Sequence, residues 1–380
     1  MKIIIVGMVN SIHLARWIEN LYKYKNHEIY VFPVFPCKIN ALLYKISKLN
    51  DKNSNIKIIT LFSNNSLNFY IQKILYIIFK KDFYLKWLEK NIIKINPEYI
   101  HSHELTTSSL LCLELKEKLN FFPKWIVTNW GSDLYFFYKL KKFKKKLKKV
   151  LNLSNFYSAE CQRDYTIAKK IGIKAKFIDC TLNSGGINVN IANKKRSKIP
   201  TSKRKIILIK GYQGLIGLGI TALKALEKIS EKLKDYKIII YSADNEVINY
   251  YKKIEHKLNF EVKIIPISKN LNTAEMYELF SNSRVYLGIS KSDGMSTSFI
   301  EALAFGAFPI QSNSSCANEW ITNGISGFLV KNDISLISKK ILKSIQDDSL
   351  VDNASKINWK IIKKKGNSDK IKLKIRKFYK

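Results

Sequence analysis

The residues best suited to chemistry lie in the stretch 283–320, where two acids, Asp293 and Glu301, flank a polar loop. The apolar run 285–289 is typical of a buried parallel strand, and the glycine-bearing turn 290–297 leads into a helical pattern. Such a loop brings backbone N–H groups and the positive end of a helix dipole together, which suits phosphate. The spacing of the two acids alone carries little weight, because a chain with 30 acidic residues contains such pairs by chance.

A longer frame around the loop adds specificity. It runs Ser290-x-x-Asp293-Gly294, then Glu301-Ala302, Gly306-x-x-Pro309 and Glu319. The frame resembles the C-terminal signature of glycosyltransferase family 4, although Asp293 stands where that signature has its first Glu. The resemblance implies that Asp293 contacts the donor sugar at the catalytic centre and that Glu301 holds the nucleotide ribose. It also implies a donor-binding loop, with backbone N–H groups on the phosphates, made of Gly294, Met295, Ser296 and Thr297. An ordinary strand, turn and helix of an unrelated α/β fold is the alternative.

A second glycine-rich loop opens at Lys210 and Gly211. In the resembled family a basic residue at this strand end and a Lys a few positions later clamp the donor diphosphate, which implies donor-binding roles for Lys210 and Gly211. Residues 214–219 contain no basic residue, so the second half of that clamp is missing or comes from elsewhere. Tight packing between a strand and a helix is the alternative role of these glycines.

Polar residues also follow two predicted strands of the first half. The segment 100–104 resembles the His-rich strand end on the acceptor side of family 4 enzymes, which implies a catalytic role for His103 and an acceptor-side role for Glu104. His101, His103 and Glu104 could instead bind a metal ion, but no further ligand group is apparent in the sequence. We therefore expect no metal.

The second cluster of the first half is 129–133. Many family members have a His at the position of Trp130, where it contacts the donor sugar. That role is not carried over to a Trp, and Trp130 is assigned to the acceptor side. Asp133 fits either a catalytic contact with substrate hydroxyls or a cap on the following helix. The start of the chain contributes three further acceptor-side residues, Gly7, Asn10 and His13.

Strand-like runs recur along both halves, separated by helical patterns as βαβ units require. The predicted strands are 2–6, 28–32, 56–61, 99–101, 125–128, 156–159 and 177–180, then 206–209, 237–241, 262–265, 285–289 and 308–311. No G-x-G-x-x-G fingerprint follows the first strand, so a dinucleotide cofactor is not indicated. The resemblance implies the α/β GT-B architecture, two Rossmann-like doubly wound domains facing each other across a cleft.

The 380 residues suffice for two domains of ordinary size. We predict an N-terminal acceptor-binding domain at 1–185 and a polar linker at 186–204, which Pro200 interrupts. A nucleotide-sugar-binding domain follows at 205–355. A C-terminal helix at 356–380 is expected to pack back on the first domain.

Composition narrows the class of protein. With 46% hydrophobic residues the chain is globular. Its five cysteines are scattered, which argues against a disulfide framework and for a reducing compartment. The apolar run at the start is too short for a signal peptide, and no run approaches a membrane span. We expect a cytoplasmic protein.

The formal net charge of +36 comes almost entirely from lysine. Nucleic-acid binding is one interpretation, but no RNA- or DNA-binding module is recognisable, and a coding bias that enriches Lys, Ile and Asn explains the excess without function. The segment 136–151 predicts a basic amphipathic helix. Such a helix suits peripheral contact with an anionic membrane, for example the inner face of the cytoplasmic membrane, although a solvated face fits equally.

The sequence thus favours a glycosyltransferase. The reaction expected from the resemblance moves a sugar from a nucleotide-diphosphate donor to a hydroxyl of a glycan or lipid-linked acceptor, in bacterial surface polysaccharide synthesis. Retention of anomeric configuration and independence of metals and cofactors are also implied. A sugar-nucleotide epimerase or hydrolase of the same fold, and a basic nucleic-acid-binding protein, are the alternatives.

Overall fold

The computed structural model describes residues 1–24 and 27–379. The chain divides into two compact units, each built on its own parallel sheet. The first unit comprises Met1–Gly185 and the residues from Ile371 onward, and the second is Gly186–Lys370. The final residue of the predicted C-terminal segment, Lys380, lies outside the described residues.

The first unit alternates strands with helices. In chain order these are β1 (Lys2–Gly7), α1 (Ile12–Glu19), β2 (Glu28–Pro33), α2 (Ala41–Ile46), β3 (Ile56–Ile58), α3 (Asn65–Ile95), β4 (Tyr99–His103), α4 (Ser108–Lys118), β5 (Lys124–Thr128), α5 (Ser132–Tyr135), α6 (Lys141–Leu153), β6 (Phe156–Ala159), α7 (Gln162–Ile171) and β7 (Lys176–Cys180). A 3₁₀ turn, Phe137–Lys139, separates α5 from α6. Helix α3 is kinked at Lys80, whose φ is 50°.

The second unit repeats the alternation. Its elements are α8 (Val189–Lys195), β8 (Ile206–Lys210), α9 (Gly219–Glu227), β9 (Lys237–Ala243), α10 (Asn245–Ile254), β10 (Glu261–Pro266), α11 (Thr273–Asn282), β11 (Ser283–Gly288), α12 (Thr297–Phe305), β12 (Phe308–Ser312), β13 (Phe328–Val330), α13 (Ile334–Gln346), α14 (Asp348–Ile361) and α15 (Ser368–Arg376). The last helix begins in the second unit and ends in the first.

Each sheet is wound in both directions from one strand. The strand order is β3-β2-β1-β4-β5-β6-β7 in the first unit and β10-β9-β8-β11-β12-β13 in the second. The connections after β1 and β4 therefore lead to opposite sides of their sheet, and those after β8 and β11 do the same. Open parallel sheets bind ligands at the carboxyl ends of such strand pairs, so the topology marks one candidate position in each unit.

Continuous apolar runs account for these strands. In β1 the residues Ile3, Ile4 and Ile5 are all fully buried, because helices cover both faces of a doubly wound sheet. Ile4 packs in a core cluster with Leu88 of α3, among others, and that cluster also holds residues of α4 and α6. A separate cluster around Ile207 and Ile209 of β8 forms the core of the second unit.

The predicted strands are all present in the structure, most of them with shifted ends. The largest shift is in β3, which ends at Ile58 rather than at residue 61. The short strand β13 was not predicted, because three residues carry too little pattern to recognise.

The segment 186–204, predicted as a linker, is an integral part of the second unit. It contains α8 and a 3₁₀ turn, and its last residue, Arg204, is 6% exposed. The Arg204 guanidinium donates hydrogen bonds to the carbonyls of Ser283 (3.2 Å) and Phe305 (3.1 Å). Polar residues of this segment, which suggested a linker, therefore form hydrogen bonds with backbone carbonyls of the second unit. The prediction of a separate linker was wrong.

The C-terminal residues from Ile371 belong to the first unit, whereas 356–370 belong to the second. Phe378 and Tyr379 are buried there. The Tyr379 hydroxyl lies 2.5 Å from Nδ1 of His101, and the Arg376 guanidinium donates to the carbonyl of Asn20 (3.1 Å). The return to the first unit thus begins about one helix later in the chain than the sequence suggested.

Candidate functional site

Two loops of the second unit meet at the carboxyl ends of β8 and β11. The backbone N–H of Lys291 donates to the carbonyl of Ile216 (2.7 Å), and that of Leu218 donates to the carbonyl of Ile289 (3.1 Å). The glycine-rich loop after β8 is therefore fixed against the loop after β11. This is the switch point of the second sheet, where the topology places a ligand.

Glycines allow the first of these loops to pack closely. A Cβ on Gly211 would lie 2.7 Å from Cα of Ala243, and one on Gly217 would lie 2.5 Å from the carbonyl oxygen of Tyr212. Neither backbone neighbour can move aside cheaply. The packing role that the sequence left open for these glycines is therefore real, and Gly211 also adjoins Lys210 at the strand end.

Lys210, Asp293 and Ser296 come together at this point. The Lys210 amine lies 3.8 Å from the Asp293 carboxylate and 3.5 Å from the Ser296 hydroxyl. It also lies 4.6 Å from the centre of the Tyr212 ring. The side chains of Lys210 and Asp293 are 22% and 27% exposed, so both remain open to a ligand.

Electrostatics keep this lysine charged. Burial alone would lower the pKa of Lys210, but the Asp293 carboxylate and other neighbouring groups, Glu301 among them, raise that pKa above its ordinary value. The protonated amine can bind an anionic group, and the half-buried carboxyl group beside it can accept a hydrogen bond from a hydroxyl at the same time.

Helix α12 begins beside the Lys210 amine. Its N-cap residue is Ser296, whose side chain does not cap the helix but accepts a hydrogen bond from Lys210. Gly294, Met295 and Ser296 are buried in the loop, and Thr297 starts the helix. Glu301 follows one turn later and is 3% exposed. The positive end of the helix dipole and the lysine charge thus act on the same position.

Sequence reasoning missed two residues that shape this loop, Gly288 and Gln311. A Cβ on Gly288 would lie 2.1 Å from Oε1 of Gln311 and 2.7 Å from the Tyr286 hydroxyl. Among the described residues, Oε1 of Gln311 is buried without a hydrogen-bond partner. The available signal was a glycine inside an otherwise apolar strand, which often marks a close approach.

The candidate residues of the first unit also gather at strand ends. A Cβ on Gly7 would lie 3.6 Å from Cβ of His103, which connects the ends of β1 and β4. The Trp130 ring lies 5.7 Å from the ring of His13 and 6.4 Å from that of His103. Asn10 is exposed in the loop after β1. The structure thus brings Gly7, His13, His103 and Trp130 together.

His103 is fully buried in this cluster. Burial lowers the pKa of His103 to about 3, so its ring is neutral near pH 7. Within the described residues neither of its ring nitrogens has a hydrogen-bond partner. The Trp17 ring packs against it at 4.8 Å. A role as an exposed acid or base does not fit this environment.

The neighbouring His101 does not favour the metal-site alternative. Its Nδ1 lies 2.5 Å from the Tyr379 hydroxyl, and its Nε2 lies 2.7 Å from the Thr128 hydroxyl. Both nitrogens are therefore engaged. The carboxylate of Glu104, the third member of the trio, accepts hydrogen bonds from Thr106 and Thr107.

Asp133 and Glu104 are structural in this geometry rather than exposed to substrate. Asp133 is 4% exposed and accepts backbone hydrogen bonds from Leu105 (2.9 Å), Trp130 (2.9 Å) and Leu134 (3.0 Å). Burial, with the nearby Glu104 adding to it, raises the pKa of Asp133 to about 8. The assigned catalytic role of Asp133 and acceptor contact of Glu104 do not fit, because both carboxylates hold loop backbone together.

The predicted basic helix differs from expectation in its start and its apolar side. Helix α6 begins at Lys141, because the chain forms separate turns before Leu140. Its apolar residues Leu147, Val150 and Leu151 are fully buried in the core of the first unit. That side of the helix cannot enter a membrane, although the lysines on the other side are exposed.

Within the part of the chain that the structure describes, no helix combines the length and the hydropathy that crossing a bilayer requires.

Two α/β units, each built on its own parallel sheet, are the architecture of GT-B glycosyltransferases, and solved structures share this fold. HepE from Anabaena, solved with UDP and glucose, has a TM-score of 0.71 at 12% identity, covering 100% of this chain and 99% of that one. Sucrose-phosphate synthase from Thermosynechococcus elongatus has a TM-score of 0.70 at 14% identity, covering 100% and 98%. A glycosyltransferase from Rickettsia africae has a TM-score of 0.65 at 17% identity, covering 100% and 97%.

Family models match both units. The model for glycosyl transferases group 1 matches residues 192–377, and the model for glycosyl transferase 4-like proteins matches residues 26–161. The chain belongs to the group 1 glycosyltransferases, of the family 4 type, and is a glycosyltransferase. No curated protein matches the sequence.

Proposed function

We propose that this glycosyltransferase moves a sugar from a nucleotide-diphosphate donor, bound by the second unit, to a hydroxyl of a glycan or lipid-linked acceptor. The observation that carries the proposal is the meeting of Lys210, Asp293 and the start of α12 at the switch point of the second sheet. The solved HepE structure with UDP and glucose supports a UDP-sugar as the first donor to test.

The chemistry assigned to these groups follows from where charge develops. Breaking the bond between sugar and diphosphate leaves negative charge on the diphosphate, so stabilising that charge is the main catalytic task. The protonated Lys210 and the backbone N–H groups of the loop 294–296 supply it. Glu301 binds the ribose, and Asp293 positions the donor sugar beside the lysine.

The proposal includes no cofactor and no metal, since Lys210 and the N-terminus of α12 supply positive charge for the diphosphate. Activity in the presence of a chelator checks this part. Retention of anomeric configuration is part of the proposal through the family, and product analysis by NMR checks it.

We assign the acceptor to the first unit, at the cluster of Gly7, His13 and Trp130 beside the exposed Asn10. Aromatic rings and a polar loop suit a sugar ring with its hydroxyls. We propose that the enzyme acts in the cytoplasm, in the synthesis of a polysaccharide of the bacterial surface. The exposed lysines of α6, such as Lys144 and Lys145, would hold an anionic membrane by charge alone.

The test is nucleotide release from UDP-glucose and related donors, with and without glycan and lipid-linked acceptors. We expect release to depend on acceptor and Asp293→Asn to reduce it about 100-fold, since a positioned polar group at the reacting centre is worth that order of rate. Lys291→Ala, which removes an exposed lysine of the same loop, is the matched control and should keep the wild-type rate. Release at one rate regardless of acceptor would instead identify a hydrolase.

A further inference from the structure

The first half of α3 presents an apolar surface to solvent. We call it the α3 surface and define it by outward side chains that are 46–61% exposed, namely Leu67, Tyr70, Ile74, Ile77 and Ile78. These positions recur every three or four residues, so they line one side of the helix. Phe62 before the helix and Phe79 at its kink, 44% and 54% exposed, extend the apolar area.

The fully buried side chains of the same helix segment are amides. Asn68 and Gln72 are each 1% exposed. Asn68 accepts a hydrogen bond from the backbone of Leu61 (2.9 Å), and Gln72 accepts one from the Tyr84 hydroxyl (2.9 Å). The helix therefore turns these amides toward the protein and Ile74, Ile77 and Ile78 toward water. This arrangement is unfavourable for a surface that stays in water, which marks an interaction site.

Charge indicates the kind of partner. Residues 62–81 contain three lysines and no acidic residue. Lys73 and Lys80 are exposed beside the apolar side chains. An apolar surface bordered by lysines and carrying tyrosine and phenylalanine is complementary to a bilayer with anionic headgroups. A second copy of the chain fits less well, because pairing two such surfaces would bring their lysines together.

Length determines how the segment meets the bilayer. The 13 residues 67–79 form a helix of about 20 Å, shorter than the roughly 30 Å of a hydrocarbon core. The kink at Lys80 ends the apolar stretch, and the second half of the helix returns to the core through Leu85 and Leu88. The segment is therefore suited to lie in the plane of the interface.

We propose that the α3 surface docks the protein on the surface of an anionic lipid bilayer, with Leu67, Ile74 and Ile77 among the acyl chains and Lys73 and Lys80 at the headgroups. The inference stands on the exposure of this helix and does not depend on the transferase reaction. It places the apolar contact on α3, since the apolar side of α6 lies in the core.

The two helices carry complementary parts of such a contact. Lys81 of α3 forms an ion pair with Glu114 of α4, and Lys149 of α6 forms one with Glu117, also of α4. The second half of α3 shares one core cluster with α4 and α6. The exposed lysines of α6 add charge to the first unit that anionic lipids would attract.

The test is flotation with phosphatidylcholine vesicles, with or without phosphatidylglycerol. We expect the wild-type protein to float with the anionic vesicles. The double variant Ile74→Asn, Ile77→Asn should bind these vesicles at least about tenfold more weakly, because each substitution removes an apolar side chain. The matched control is Ile93→Asn, at an isoleucine of the second half of α3 that is 72% exposed. It should bind as wild type.

Two further measurements keep the result interpretable. Thermal unfolding should be the same in all variants, because the substituted side chains are exposed. Sedimentation equilibrium without lipid should give a monomer. Equal flotation of the double variant and wild type would overturn the proposal, as would a dimer that only the double variant abolishes, since a second copy would then occupy the surface.

Discussion

At the scale of single residues, the acids of this chain divide by what surrounds them. Asp293 remains 27% exposed beside the Lys210 amine, whereas Asp133 is 4% exposed among backbone N–H groups. The first environment leaves a carboxyl group available to a substrate. The second uses the carboxyl group to connect the loops after β4 and β5.

The buried Asp133 predicts a pH dependence of stability. Its pKa is raised to about 8 in the folded protein by burial and by Glu104, while in an unfolded chain it would titrate near its ordinary value of 3.8. Between these values the folded state holds a proton that the unfolded state releases. Stability should therefore fall as pH rises, by at most about 1.4 kcal/mol per pH unit.

Urea unfolding of the wild type and Asp133→Asn between about pH 6.5 and 8 measures this contribution. Above pH 6.5 the buried histidines, whose lowered pKa values act in the opposite direction, contribute little. The wild type should lose stability across this window, and the variant should lose less. Parallel profiles of the two proteins would show that Asp133 is already ionised in the folded state.

The positions of candidate donor-site residues were predictable where the spacing of a motif carries chemistry, and their roles stay predictions. The frame around Asp293 and Glu301 and the strand end at Lys210 led to groups that the structure brings together. The sequence left a substrate contact and a helix cap open for Asp133, since it does not tell whether a carboxyl group will meet solvent or the backbone N–H groups of a distant loop. Gln311 was missed because its position depends on the contact with Gly288 across two strands.

At the scale of elements, a polar composition misled in the segment 186–204. Its residues are polar because they bind carbonyl groups of the second unit. Arg204 donates to the carbonyls of Ile199, Ser283 and Phe305. Burial lowers its pKa to about 10, so the guanidinium remains charged at neutral pH.

This role predicts that Arg204→Lys destabilises the protein by about 2–3 kcal/mol, because an ammonium group cannot reproduce the guanidinium fork and leaves carbonyls without donors. Thermal and urea unfolding measure the loss. Lys198→Arg, a charge-conserving change at an exposed position of the same segment, is the control and should be neutral. Arg204→Lys with wild-type stability would contradict a stabilising role for the hydrogen bonds of this guanidinium.

For helices, too, the sequence left the environment of the residues undetermined. Apolar periodicity predicted one basic amphipathic helix at 136–151, but periodicity does not determine whether an apolar side faces the core or solvent. In α6 that side completes the core of the first unit. In the first half of α3 the apolar side faces outward, because Asn68 and Gln72 satisfy backbone and tyrosine groups inside.

At the scale of the whole molecule, the alternation of apolar runs with helical patterns was enough to predict two parallel-sheet units. Strands buried on both faces, such as β1 and β8, read as continuous apolar runs and are easily recognised. The return of the chain to the first unit at Ile371 was harder to place. It depends on contacts such as Tyr379 with His101, which lie 278 residues apart in sequence.

The central claim is that the second unit binds a nucleotide-diphosphate sugar through Lys210 and Glu301. The most direct test is thermal unfolding with UDP, GDP, ADP and CMP sugars, for the wild type, Glu301→Ala and Lys210→Ala. A ligand at 100 times its dissociation constant adds about 2.7 kcal/mol, which shifts the midpoint by several degrees.

We predict that one nucleotide class stabilises the wild type and that both variants lose this shift of the unfolding midpoint. As a control, both variants must unfold cooperatively without ligand. The class that acts identifies the donor base. A wild type that none of these sugar nucleotides stabilises, or variants that respond as the wild type does, would contradict the assignment of this site.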